Sequence, residues 1–412
     1  MQIFQSLAVV SGLLASLSLT VAAPSQLLAP RASTPGLPSQ DPFYKPTGNW
    51  TSKPNGAILS SRLVSPTAAN AAKGYQLLYK TKDALGRPDA TVVTILVPKS
   101  PKSPAKIVGL QLPEDSVSID CAPSAALVKG TGSPAALSLN TTNQGLEGSL
   151  ANGYYVVIPD HEGSKAAAFV GPTEGRATLD GLRAATNFTT GIPGVSKKTP
   201  IAIGGYSGGA HATAWAAQLY PTWAPELNIK GQAIGGTPTN LTNVLLYLNK
   251  GSYAGFAAVG IVGEYVTYPD LHDYIATNIY PNGTALFKKL QTNQCLLQVA
   301  FGYGRTDLFS YFKLPDPLNS APARKRLGQN LLGGDGSTLT IGTIMYHGTA
   351  DDVIPYSDAT AYAKKQCGKG AKVHFYSDEG RKHISEEGAR GDSLVSWFDD
   401  ILKGTADFSC NL

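Results

Sequence analysis

A chain of 412 residues with 42% hydrophobic and only 15% charged side chains can bury one large core with an insertion, or two domains, and is no disordered polymer. Its formal charge of +5 is small for this length and its Lys and Arg are scattered, "RKR" at 324–326 being the densest run, so no nucleic-acid partner is expected. Plentiful Gly (44) and Pro (28) fit a well-packed secreted globule.

In chain order, "MQIFQSLAVVSGLLASLSLTVAA" carries no charged side chain and closes on small residues. That predicts a secretory signal peptide over 1–22, cut near Ala22 or Ala23, although no Lys or Arg marks its start. A membrane anchor is the alternative. Interrupting serines and the following "PSQLLAPRASTPG" argue against it, and no later run is apolar enough to be a transmembrane segment. A leader follows over 23–45. Five N-x-S/T sequons, at Asn49, Asn140, Asn187, Asn240 and Asn282, and an even count of four cysteines agree with an oxidising, extracellular destination.

Short apolar runs then recur. Those at 74–81 and 91–98, joined through "KDALGRPD", read as an antiparallel hairpin. Those at 106–113, 154–160, 201–205, 230–236, 339–348 and 372–378 read as buried parallel strands, separated by helical patterns such as 175–188. The expectation is an α/β fold: a mostly parallel sheet flanked by helices, with one mixed edge. Residues 240–335 break the rhythm, with no clear strand, and are expected to form a helical insertion between core segments 46–239 and 336–412. Its "SYAGFAAVGIVGEY" (252–265) must bury much of its surface. Packing onto the sheet and lining an acyl tunnel are both open readings.

Chemistry enters at "TPIAIGGYSGGAHATAWAAQLY" (199–220), where Ser207 sits in G-x-S-x-G. Alone this pattern also describes a serine in a glycine-rich turn. Here a short strand precedes it and an Ala-rich helix follows, the setting of a nucleophile elbow. A serine nucleophile needs a base, and the base an orienting acid. Of six histidines, only His383 is expected on a polar loop after the last strand, and a surface loop histidine is its competing reading. Asp351 and Asp352 follow the strand at 341–348; Asp351 is preferred as nearer the strand end, with Asp352 solvated or capping the loop. For the oxyanion, Gly208 offers its N–H. Asp115, in the loop "GLQLPEDSVSIDCAPS", offers its own, and its side chain too if burial keeps it protonated. A helix N-cap is the competing reading of Asp115. His211 and Asp160-His161 read as structural hydrogen-bonding groups. With no H-E-x-x-H, Cys/His cluster or phosphate-binding loop, no metal or cofactor is expected.

With these residues assembled, the chain resembles the fungal secretory lipases of the Candida antarctica lipase A type, in "EDSVSIDCAPS", "NGYYVVIPDHEG", "GYSGGAHATAWAA", "GFAAVGIVGEYVTYPDL", "YHGTADDVIPY" and "KKQCGKGA". The resemblance implies an α/β-hydrolase with Ser207, Asp351 and His383 as its triad and Asp115 and Gly208 as its oxyanion hole. It implies that the insertion is a cap, and that Cys121 pairs with Cys295 and Cys367 with Cys410. The expected function is a secreted serine ester hydrolase, a lipase on acylglycerols, acting as a monomer on lipid substrate at a lipid–water interface. An esterase, deacetylase or acyltransferase for small or secondary-metabolite esters is the alternative, then a serine peptidase or a silent binding module.

Overall fold

The computed structural model describes residues 35–141 and 145–412. The signal peptide expected over 1–22, and the leader as far as 34, lie outside the described residues. Residues 35–45 lie against the body: Ser39 donates through its N–H and hydroxyl to Asp120, and Asp41 pairs with Arg62.

Nine strands form one sheet: β1 (Ile58–Val64), β2 (Ala71–Lys82), β3 (Pro88–Pro98), β4 (Ile107–Gln111), β5 (Tyr155–Pro159), β6 (Ile201–Tyr206), β7 (Ile229–Gly235), β8 (Gly342–Gly348) and β9 (Val373–Asp378). Their order is β1-β2-β3-β5-β4-β6-β7-β8-β9. The expected hairpin is β2–β3, and from β5 to β9 every pairing is parallel. The mixed edge is wider than a hairpin, because β1 pairs antiparallel with β2. Its "ILSSRLV" is mostly exposed or half-buried, so it lacks the apolar run that marks a buried strand.

Helices cover both faces. Three short ones follow β4: α1 (Pro123–Ala126), α2 (Ala136–Thr141) and α3 (Leu146–Ala151). α4 (Gly171–Asn187) begins four residues before the pattern at 175–188, with Pro172 in its first turn, a favoured helix start. α5 (Gly208–Trp223) leaves β6 directly. Strand alternation divides the core. Ile201 and Ile203 of β6 face Leu182, Ala214 and Trp215, while Ala202 and Tyr206 face Phe398, Trp397 and Leu150. The parallel strands are apolar on both sides for that reason.

Between β7 and β8 come α6 (Leu241–Leu248), α7 (Ala254–Thr267), α8 (Pro269–Asn278), α9 (Pro281–Leu290), α10 (Leu296–Gly302) and α11 (Ala321–Gln329). They build a third core, in which Val259, Val262 and Leu245 meet Phe169, Val170 and Ile354 of the sheet loops. α7 is buried nearly all round, pressing Gly263 onto the Ala168 backbone and Gly255 onto that of Val299. The chain enters and leaves this layer side by side: Asn240 bridges Leu331, and Leu332 N–H donates to Thr239 O at 3.1 Å. α12 (Tyr356–Gly368) and α13 (His383–Lys403) complete the fold.

Cys121 is bonded to Cys295 and Cys367 to Cys410, spanning 174 and 43 residues. The first ties the loop after β4 to the start of α10. A chain-entropy estimate for a loop that long is about 5 kcal/mol. The double variant Cys121→Ser/Cys295→Ser is therefore expected to melt well below the parent, by more than Cys367→Ser/Cys410→Ser. A melting temperature equal to the parent's would refute this. Of the sequons, Asn49, Asn187 and Asn282 are exposed, and Asn240 is half-buried as the N-cap of α6. The Asn140 side chain lies outside the described residues.

Candidate active site

Ser207 occupies the one-residue turn between β6 and α5, with φ 53° and ψ −123°. That left-handed backbone is strained for a residue with a Cβ, and the surrounding hydrogen bonds hold it. Ser207 N–H donates to Gly235 O at 2.9 Å, and His211 N–H to Ser207 O at 3.0 Å. Helix and strand cross so closely that a Cβ at Gly205 or Gly209 would collide with the Gln111 carbonyl, which explains the flanking glycines.

His383 Nε2 lies 2.8 Å from Ser207 Oγ, and its Nδ1 2.7 Å from Asp351 Oδ2. The other Asp351 oxygen accepts the N–H groups of Val353 at 2.8 Å and Ile354 at 2.7 Å, which fixes the carboxylate. Burial would raise the Asp351 pKa, but the charges and hydrogen bonds of His383 and His347 outweigh it and hold the group ionised. Burial lowers the His383 pKa and Asp351 raises it, for a net rise above the usual value. Asp352 is 35% exposed, 3.4 Å from Lys382 Nζ.

His383 is the first residue of α13 and not a mid-loop residue as expected; the loop after β9 is only four residues long, and Lys382 N–H is capped by Ser385 Oγ at 3.0 Å. Two contributors were not singled out. His347, at the end of β8, places Nε2 3.0 Å from Asp351 Oδ2. The Tyr206 hydroxyl donates to His383 O at 2.7 Å, fixing the backbone that carries the imidazole. A tyrosine beside a motif serine is a signal that could have been used.

Asp115 is buried with φ 45°. It is not a helix N-cap, because the next helical turn, Ile119–Cys121, starts after Ser118. Its Oδ1 packs on Gly208 so tightly that a Cβ there would collide with it. Burial, then repulsion from Glu174, pushes the Asp115 pKa up to about 7, with His383 opposing.

Behind this loop lies an acid cluster that the sequence pattern does not announce. Burial and mutual repulsion raise Glu114 and Glu162 well above the ordinary range, and burial raises Asp160 to about 7. Asp160 accepts Ser124 N–H at 2.8 Å, and His161 Nε2 meets Leu112 O at 3.0 Å. His211 Nδ1 faces Glu174 at 2.6 Å, while its Nε2 accepts from Trp215 at 3.1 Å. These are the structural roles expected of His161, His211 and Asp160. Among the described residues no His, Cys, Asp or Glu group is arranged to hold a metal, and no helix is long and apolar enough to cross a membrane.

Ser207 and His383 open into a cleft of about 570 Å³. One wall is apolar, from Tyr253, Phe256, Leu297 and Phe301; the other, on α13, carries Glu387 and Asp392. A separate, mostly apolar void of about 10 Å³ also touches Ser207, lined by Val244, Leu245 and Leu248 of α6 and by Phe256.

The chain is similar to known proteins over most of its length. A family model described as secretory lipase matches residues 135–409. Lipase A of Moesziomyces aphidis is 36% identical over 393 residues, 93% of this chain and 84% of the relative. A secreted triacylglycerol lipase of Malassezia furfur is 35% identical over 89% of this chain and 76% of its own. The X-ray structure of Candida antarctica lipase A in its closed state superposes with a TM-score of 0.87 at 33% identity, over 92% of this chain and 90% of that one. A rice cell wall degrading esterase of Xanthomonas oryzae, at 18% identity and a TM-score of 0.69 over 86% of this chain and all of its own, shares the fold alone.

Proposed function

The chain belongs to the secretory lipase family and is a secreted ester hydrolase of lipase type, and we propose that Ser207, His383 and Asp351 carry out its chemistry. The observation that carries this reading is the unbroken line Ser207 Oγ–His383–Asp351, with both contacts under 3 Å. His383 Nε2 takes the Oγ proton as Oγ attacks the ester carbonyl carbon. Ionised Asp351 holds the Nδ1 proton and stabilises the imidazolium. The oxyanion forms between Gly208 N–H and Asp115, whose backbone N–H and protonated side chain are both donors. The imidazolium then protonates the departing alcohol. Water, deprotonated by the same nitrogen, releases the acid from the acyl-enzyme.

In this reading residues 240–335 are the cap over a core of 46–239 and 336–412. The acid-bearing cleft takes the alcohol side, and the apolar void against α6 takes the acyl chain, opening as Leu245 and its neighbours rotate. Phe301 (67% exposed) and Ile384 (53% exposed), at the cleft rim, offer apolar contact to a lipid–water interface. The site is complete within one chain, which suits a monomer. The exposed Asn49, Asn187 and Asn282 are the sequons best placed for glycans.

Each methylene buried there can add up to about 0.8 kcal/mol. On p-nitrophenyl esters from acetate to palmitate, beside emulsified triacylglycerol, kcat/KM is expected to climb with chain length until that space is full. A profile peaking at acetate, without triacylglycerol hydrolysis, would replace this reading with a small-ester hydrolase.

A further inference from the structure

His347 stands one residue before the end of β8, and Asp351 follows four residues later. Gly348 opens the turn between them, where a Cβ would collide with the Arg381 carbonyl, and Asp351 N–H returns to Gly348 O at 3.2 Å. The turn folds Asp351 back onto the strand end that carries His347, and both side chains are buried. His347 Nε2 then lies 3.0 Å from Asp351 Oδ2 and 3.2 Å from Ile354 O. A carboxylate oxygen and a carbonyl oxygen are both acceptors, so Nε2 must carry a proton, which it shares between them.

That proton fills the Asp351 carboxylate, which has about four lone-pair sites. Oδ1 accepts Val353 N–H at 2.8 Å and Ile354 N–H at 2.7 Å. Oδ2 faces His383 Nδ1 at 2.7 Å and His347 Nε2 at 3.0 Å. The backbone of the same residue is held from α6, where the Tyr247 hydroxyl donates to Asp351 O at 2.9 Å. A second donor on Oδ2 also draws off part of the charge presented to His383. The imidazole is then a weaker base than it would be beside a carboxylate with that lone pair empty.

We propose that His347 is a positioning residue of the hydrolysis: its Nε2 proton fixes Asp351 against His383 and tempers the charge that His383 feels. His383 thereby stays unprotonated, and able to accept the Ser207 proton, further into the acid range. This rests on the triad proposed above. His383 faces other ionisable groups too: Asp115 from the loop after β4, Glu387 one turn along its own helix, and the Tyr206 ring of β6, with centroids 4.9 Å apart. Asp352, beside Asp351, is paired with Lys382. A substitution at 347 keeps all of these groups, so a moved acid limb reports on Asp351.

The test is the pH profile of kcat/KM, whose acid limb reports the base of the free enzyme. His347→Phe keeps a ring packed edge-on against Tyr356, at 5.8 Å and 76° in the parent, and removes the donor. His347→Gln keeps an N–H near the place of Nε2. The phenylalanine variant is expected to lose about tenfold in kcat with KM little changed. Its acid limb is expected to move up by about half a pH unit or more. The glutamine variant should stay within about threefold of the parent, with its acid limb unmoved. An acid limb in His347→Phe that coincides with the parent's would overturn the proposal, and so would a glutamine variant indistinguishable from it. Should His347→Phe fail to fold, ¹⁵N spectra of the six histidines in the parent decide. His347 Nε2 is expected to be protonated, and a bare Nε2 would overturn the proposal. Full activity in Asp351→Asn would instead overturn the triad itself.

Discussion

Ser207→Ala and His383→Ala are each expected to lower kcat for ester hydrolysis by about a millionfold, while the protein still folds. The backbone bonds that hold the turn, Ser207 N–H to Gly235 O and the Tyr206 hydroxyl to His383 O, survive both substitutions. Asp351→Asn is expected to cost about 10⁴-fold, because an amide at Oδ2 would stabilise the wrong imidazole tautomer and remove the charge facing the imidazolium. Asp352→Asn should change kcat less than about threefold, since Asp352 reaches only a Lys382 salt bridge in solvent. Steady-state kinetics on one activated ester, with circular dichroism to verify folding, separates the four variants. If Asp352→Asn proved more damaging than Asp351→Asn, the acid would be misassigned.

The second large effect concerns stability against pH. Glu114, Asp115, Asp160, Glu162 and Glu264 all have folded pKa values above the ordinary carboxyl range of the unfolded chain, with burial the first cause in each. Between the unfolded value, about 4, and the folded ones, the native state binds more protons than the unfolded state, so stability falls as pH rises. His383, raised by Asp351, acts in the same direction, its contribution present below about 6.5 and lost through its folded pKa. Groups with lowered values act oppositely. Asp351, Asp41, Asp270 and Asp378 stabilise above the unfolded carboxyl pKa and lose that contribution as pH falls through their folded values. Buried His161, lowered by desolvation, favours higher pH across the window just below 6.5. Five carboxyls outweigh one imidazole, so stability is expected to peak near pH 4–5, with a melting temperature about 5 °C or more above that at pH 8. Asp115→Asn and Glu264→Gln should each flatten the profile. Calorimetry across pH 4–9 decides it, and a melting temperature that climbs from pH 5 to pH 8 would contradict it. Activity should instead be bell-shaped across this range, since His383 must be unprotonated to accept the Ser207 proton while Asp115 must stay protonated to donate to the oxyanion.

The sheet was readable because its strands are buried on both faces, leaving uninterrupted apolar runs such as Tyr155–Pro159 and Ile201–Tyr206. β1 was not, because Ser60, Ser61 and Arg62 interrupt a strand whose pairing depends on β2 and not on its own composition. Ser207 was visible through glycines that a close helix–strand crossing demands. Asp351 and His383 were visible through their positions after successive strands. His347 and Tyr206 were hidden because each sits inside a strand, where a polar residue looks like core. The acid cluster was hidden for a more general reason: sequence carries no mark of burial for a carboxyl in a loop. "PEDS" and "DHEG" read as solvated until the fold closes over them.

The bond between Cys121 and Cys295 has a mechanical consequence. The helical layer joins the sheet through two adjacent crossings, Thr239–Asn240 and Leu331–Leu332, which act together as one hinge with a single axis of swing. A third covalent attachment away from that axis, between the Asp115-bearing loop and the start of α10, removes that swing as a crossbar stops a door. The layer therefore cannot lift as a rigid flap while the bond is intact. In the proposed reading, substrate reaches Ser207 through the open cleft beside Phe301, and any further room comes from side chains and single helices. An extracellular reductant would convert a fixed roof into a swinging one.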